Sequence, residues 1–161
     1  MIAIEKKSLS VGKYVSTQHV DKVIRNYKKE RWVHNSERIG KEDSLSGWWS
    51  IEEIENFLDN AKLYGGDGVK FYFGAYDNEF QERPEYSGRQ TLVMVATKQK
   101  EGKYGTKVNK DIYINEGNEN NILAYNMATL CPPSCGLSVD SDNIEIGVTI
   151  VDKGEEGIVI V

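Results

Sequence analysis

Proline is scarce, at 3 residues in 161, and cysteine and histidine are limited to 2 each. No stretch approaches the roughly 18 to 20 consecutive apolar residues that span a bilayer, which excludes a membrane-crossing helix. The opening MIAIEKKSLSVGKY places its lysines after its apolar residues and has no hydrophobic h-region, so it reads as neither signal peptide nor anchor. With no export signal visible, the expected location is a reducing cytoplasm, where thiols stay free unless they are catalytic or bind metal. Two cysteines are too few for a disulfide scaffold, and none is needed, since a chain of this size buries roughly 70% of the surface exposed on unfolding. With two histidines and no GxSxG, HExxH or Cys-His signature, the chain lacks a recognisable grouping of nucleophile, base and orienting residue. Enzyme activity therefore finds no support here, and no cofactor is implied.

What is present points to a water-soluble globule. The chain is 39% hydrophobic, 28% charged and 10% aromatic, which fits a single α+β domain over residues 1–161. The formal charge of −5 is unevenly spread: residues 1–50 carry ten Lys/Arg against six Asp/Glu, and residues 51–161 carry ten against nineteen. Such a split suits attraction within the molecule, a head-to-tail contact between chains, or a basic face for an acidic partner.

Helical periodicity begins at Ser16, a candidate N-cap with Thr17: Val20, Val23, Ile24 and Tyr27 share one face, which predicts a helix over about 17–31. Residues 34–47, HNSERIGKEDSLSG, read as a polar surface connection. Ser50 and Glu53 then form a capping box ahead of an apolar stripe of Ile51, Ile54, Phe57, Leu58 and Ala61, and Gly65-Gly66 ends that helix. After Gly68 the period becomes two, with Val69, Phe71, Phe73 and Ala75 predicted to face a core and Lys70, Tyr72 and Tyr76 to face outward. TLVMVATK predicts a central strand, antiparallel to the first across a long loop. Residues 98–110 read as a turn region, followed by a short strand DIYI and the polar run NEGNENN. IEIGVTIV and GIVIV flank DKGEEG as a final hairpin, too apolar to be left as a bare edge. The two N-terminal helices are expected to cover one face of a mainly antiparallel sheet of about four to six strands.

Several groupings invite chemistry. GGDG at 65–68 has the order helix, glycines, strand, the reverse of a phosphate cradle, so it reads as a helix end. DSDNIE at 140–145 opens like a calcium loop but puts Ile144 and Glu145 where an oxygen ligand and the turn glycine belong, which favours a solvated turn. Cys131 and Cys135 in CPPSC have a spacing suited to two metal thiolates, yet a zinc site takes about four ligands, and His19 and His34 are distant in sequence. The pair is a candidate structural turn, redox pair or half of a metal site. Lys22, Arg25, Lys28 and Lys29 on the first helix could meet nucleic-acid phosphates, but a pI near 5.2 disfavours that partner. Trp48 and Trp49 are neighbours in an extended segment, so one can anchor the second helix while the other stays near the surface. With Tyr72 and Tyr76 they make a candidate aromatic contact site for a protein partner or a second copy of the chain.

GWWSIEEIENFLDNAKLYGGDGVKFYFGAYDNE, TLVMVATK and NILAYNMATLCPPSCG together resemble small uncharacterised Bacteroidota proteins, in which an aromatic-opened helix precedes a strand like VKFYFGAY and an asparagine-bearing segment leads to a CPP-C loop. The resemblance spans about residues 47–136 and leaves out the tail from Leu137 to Val161. It implies a bacterial cytosolic domain and carries no catalytic or ligand assignment. The functional expectation is a non-enzymatic interaction module. The alternatives are a thiol- or metal-dependent protein built on CPPSC, and nucleic-acid binding through the first helix.

Overall fold

A computed structural model describes residues 10–135, 150–152 and 158–160. The fold class is α+β, and every strand pairing described is antiparallel. The described chain divides into two units, each drawn from separate stretches: 10–13, 49–73 and 92–127 form one, and 14–48, 74–91 and 128–135 with the last two strands form the other.

In the first unit, α3 (Ile51–Leu63) starts at the expected capping box: the Glu53 N–H donates to Ser50 Oγ at 3.1 Å and the Ser50 N–H to Glu53 Oε2 at 2.9 Å. The helix ends at Gly65, whose φ of +80° only glycine adopts cheaply, and the Gly66 N–H donates to the Ala61 carbonyl at 2.8 Å. The glycines thus close a helix, as their order predicts.

β2 (Gly68–Ala75), β3 (Gln90–Glu101) and β4 (Lys107–Asp111) lie in that order in a four-stranded sheet, and β7 (Ala124–Tyr125) also pairs with β3. The antiparallel sense of β2 and β3 follows from the Asp67 N–H donating to the Thr97 carbonyl near one end and the Tyr76 N–H to the Arg89 carbonyl near the other. β3 is the central strand that its apolar content predicts, with Met94, Val95, Ala96 and Thr97 buried in succession. Phe57 and Ala61 of α3, with Trp49 and Leu123, complete this unit's buried set.

Two segments read as loops are strands. Residues 98–110 carry the end of β3 and most of β4, and only the Gly102–Thr106 stretch turns. NEGNENN belongs to a hairpin of β5 (Tyr113–Glu116) and β6 (Glu119–Ile122) across Gly117-Asn118, with Gly117 at φ +70°. A two-residue turn with glycine first matches strand twist, and this pairs even polar strands.

In the second unit the first helix is longer than the 17–31 prediction. α1 (Thr17–Tyr27), with Ser16 Oγ accepting from the His19 N–H, runs through a π-helical turn at Lys28–Trp32 into α2 (Val33–Ile39), which ends at Gly40 with φ +71°. Polar residues 34–39 continue the helix because no proline or glycine intervenes before Gly40. Beyond it, the Asp43 N–H donates to Ser36 Oγ and Trp32 Nε1 to the Asp43 carbonyl, which pins the connection back. β1 (Ser46–Trp48) pairs with β8 (Thr129–Cys131). β9 (Ile150–Asp152) and β10 (Ile158–Ile160) form the expected final hairpin, and β10 lies beside α1. The calcium-like segment 140–145 lies outside the described residues.

Candidate functional site

The candidate site is β2. Its position at the end of the sheet order leaves its second edge without a strand among the described residues. Alternation predicted that Val69, Phe71, Phe73 and Ala75 would be buried, and the structure corrects this: Phe71 is 54% exposed, Phe73 81%, and Ala75 is exposed as well. Only Val69 is half-buried. Period-two alternation tells which residues share a face, but not whether that face is covered.

The other face of β2 carries an ordered polar network. Lys70 Nζ and the Tyr72 hydroxyl each donate to Asp111 at 2.7 Å, and the Lys70 ammonium lies 5.7 Å from the Tyr72 ring centroid. Hydrogen bonding to Lys70 and then Tyr72 holds the Asp111 carboxyl below the usual carboxylate range, and the bond to Asp111 raises Lys70 in turn. This pins β2 through β4 residue Asp111 across the intervening strand, so the aromatic face is presented on a fixed backbone.

The four aromatic residues singled out from sequence have different environments. Trp49 is buried at 8% exposure, with Nε1 donating to the Asn126 carbonyl at 3.2 Å, whereas Trp48 in β1 is 63% exposed. One therefore anchors and the other faces out, as neighbouring positions in an extended segment require. Tyr72 is exposed within the network with Asp111. Tyr76 is half-buried in the second unit, stacked on Phe80 at 4.3 Å and near Tyr86 at 6.0 Å, so its ring is engaged in packing. Phe71 and Phe73 belong to the candidate surface and were assigned to a core by pattern alone; an edge position cannot be read without knowing the strand order.

Cys131 and Cys135 are joined in a disulfide with Cα atoms 4.6 Å apart, where free thiols were expected. In this form neither sulfur is a thiolate. Leu45 N–H and Ser44 Oγ donate to the carbonyls of Cys131 and Pro132, fastening the loop to the β1 side. Among the described residues no cluster of three or more His, Cys, Asp or Glu is placed to hold a metal ion.

Of the basic residues on the first helix, Arg25 pairs with Asp21 at 2.5 Å and Lys28 lies over the Trp32 ring at 5.3 Å. Lys22 and Lys29 are exposed. The arrangement is that of an amphipathic helix with partly neutralised charge. No helix among the described residues is long and apolar enough to cross a membrane. No protein-family model, curated protein or solved structure matches the chain.

Proposed function

We propose that this protein is a non-enzymatic interaction module whose β2 edge takes up an extended segment of a protein partner. The supporting observation is the coincidence, on one strand, of an unoccupied edge among the described residues and an exposed pair of phenylalanines. A strand edge offers unpaired N–H and C=O groups, and proteins ordinarily blunt it with charge, proline or a bulge. Here the central edge residues are Phe71, Tyr72 and Phe73. Strand addition satisfies both features together, since the backbone supplies affinity and alternate side chains supply selectivity. The partner segment is accordingly extended, with apolar residues at every second position.

Selection of linear peptides from a random display library on the intact chain tests this, followed by amide exchange. Selected peptides are expected to alternate apolar and polar residues, to slow exchange at β2 amides, and to lose about tenfold or more in affinity for Phe71→Thr/Phe73→Thr. Threonine keeps strand propensity and net charge while removing the rings. Concentration-dependent dimers abolished by the same pair of changes would support the reading with a second copy as partner. Peptides that bind the double variant equally well, or β2 amides already protected throughout in the isolated chain, would reject it.

A further inference from the structure

We propose that the β3–β4 ladder carries an anion-binding site for a compact, multiply charged phosphate-type ligand, formed by Lys98, Lys100 and Lys110 with Tyr64 and Tyr113. It is independent of the β2 edge. The register places Lys98 directly opposite Lys110. Lys100, two residues along β3, lies on the same face as Lys98 and diagonal to Lys110. Like charges directly opposite in an antiparallel pair weaken the sheet, so three lysines gathered this way are a local cost that a bound anion would reverse.

The neighbours do not supply that anion. Among the described residues, none of these three ammonium groups has a carboxylate within ion-pair distance. Lys98 Nζ donates to the Gly65 carbonyl at 2.8 Å, beyond the C-terminus of α3, which fixes its position and leaves it further donors. Asp111 borders the same depression, but its carboxylate is already held by Lys70 and Tyr72.

The lysines line an open depression of about 290 Å³ together with Tyr64, Ile112 and Tyr113. That volume is at the small end of ligand sites, which favours a compact ligand. Both tyrosines are substantially exposed beside the lysines and supply hydroxyl donors and ring faces. A planar, singly charged carboxylate would leave most of this donor set unused, whereas linked phosphates present several oxygens to three ammonium groups.

Calorimetric titration of the full chain with inorganic tripolyphosphate tests the assignment, with sulfate as the lower-charge comparison. One equivalent is expected to bind, about tenfold or more tighter than sulfate, and to weaken as salt is raised. Lys98→Gln/Lys110→Gln should lose about tenfold or more, while Lys22→Gln/Lys29→Gln, on the basic first helix, should bind like the parent. Amide and tyrosine resonances of residues 64, 98–100 and 110–113 should shift on titration. Equal loss in both double variants, stoichiometry well above one, or no binding at low salt would overturn it. So would a single-stranded oligonucleotide binding far tighter than tripolyphosphate with a footprint longer than the depression. Glutamine relieves the like-charge repulsion but gives up the Lys98 bond to the Gly65 carbonyl. Lys100→Gln/Lys110→Gln, which keeps that bond, is therefore compared alongside: it should lose binding as well and melt no lower than the parent, and if it binds like the parent the assignment fails.

Discussion

Two adjacent glycines after α3 do different work, and substitutions separate them. Gly65 has φ +80°, and a Cβ there would meet only Lys98 Nζ at 3.8 Å, so the cost of Gly65→Ala is conformational, about 1–2 kcal/mol. Asparagine visits the left-handed region readily, so Gly65→Asn should recover much of that loss. Gly66 lies outside that region, yet its Cβ would sit 2.8 Å from the Ala61 carbonyl oxygen and 3.2 Å from Ile112 Cδ1. The carbonyl is backbone and already accepts the Gly66 N–H, so it cannot swing aside. Gly66→Ala and Gly66→Asn should both cost about 1–3 kcal/mol by urea unfolding. Rescue of Gly66 by asparagine would refute the steric account. The GGDG string identifies a helix end, but which glycine is needed for φ and which for space depends on Ala61 and Ile112, and local sequence does not show that approach.

At the scale of elements, the cap and the end of α3 were legible, although Ile51 of the expected apolar stripe is 76% exposed, and the cap sets a pH dependence. The Ser50 backbone N–H, then its hydroxyl and that of Tyr125, hold Glu53 below the ordinary glutamate value of 4.5. A lowered carboxyl contributes stability above its unfolded-state pKa and loses it as pH falls through the folded one. As the loss of an N-cap, Ser50→Ala should cost about 1 kcal/mol near neutral pH, and the gap to the parent should narrow below about pH 4.5 as Glu53 protonates. The Glu53 titration, followed by NMR, should move part of the way up toward 4.5 in the variant, which keeps the backbone N–H at position 50; an unmoved titration would show that the Ser50 hydroxyl does not hold the carboxylate. A second element-level device is the Cys131–Cys135 bond, which closes a sequence separation of only 4. So short a loop limits the chain-entropy gain to about 2 kcal/mol. Reduction should lower stability by no more than that, and a Cys131→Ser/Cys135→Ser chain should be indifferent to reductant.

The elements that sequence misplaced share one cause. Helix residues 34–39, the lysine-rich end of β3 and strand β6 are short of apolar residues, so hydrophobic periodicity is silent on them, whereas Tyr113 and Ile114 of the expected DIYI strand do open β5. Their structure is set by backbone pairing and by Gly40, Gly102 and Gly117 at the boundaries. The candidate surface was half legible for a related reason. The sequence pattern put Phe71 and Phe73 on one face, but neither the exposure of that face nor the terminal place of β2 in the strand order is written in the alternation.

For the whole molecule, that exposed pair and the net charge pull in opposite directions. With a formal charge of −5 at neutral pH, like-charge repulsion between molecules opposes contact through any apolar patch. Near the sequence pI of about 5.2 the repulsion vanishes while the exposed rings remain. Light scattering of the parent chain should therefore rise steeply as pH is lowered from neutral toward the pI. Phe71→Thr/Phe73→Thr leaves the net charge unchanged, so its pI, and the pH at which repulsion is lost, are those of the parent. If association runs through β2, the variant should scatter far less at that pH, and the two chains should be alike near neutrality. Added salt at neutral pH should move the parent in the same direction by screening, again with little effect on the variant. Equal scattering of both chains across the titration would place the association elsewhere on the surface and remove β2 as the contact.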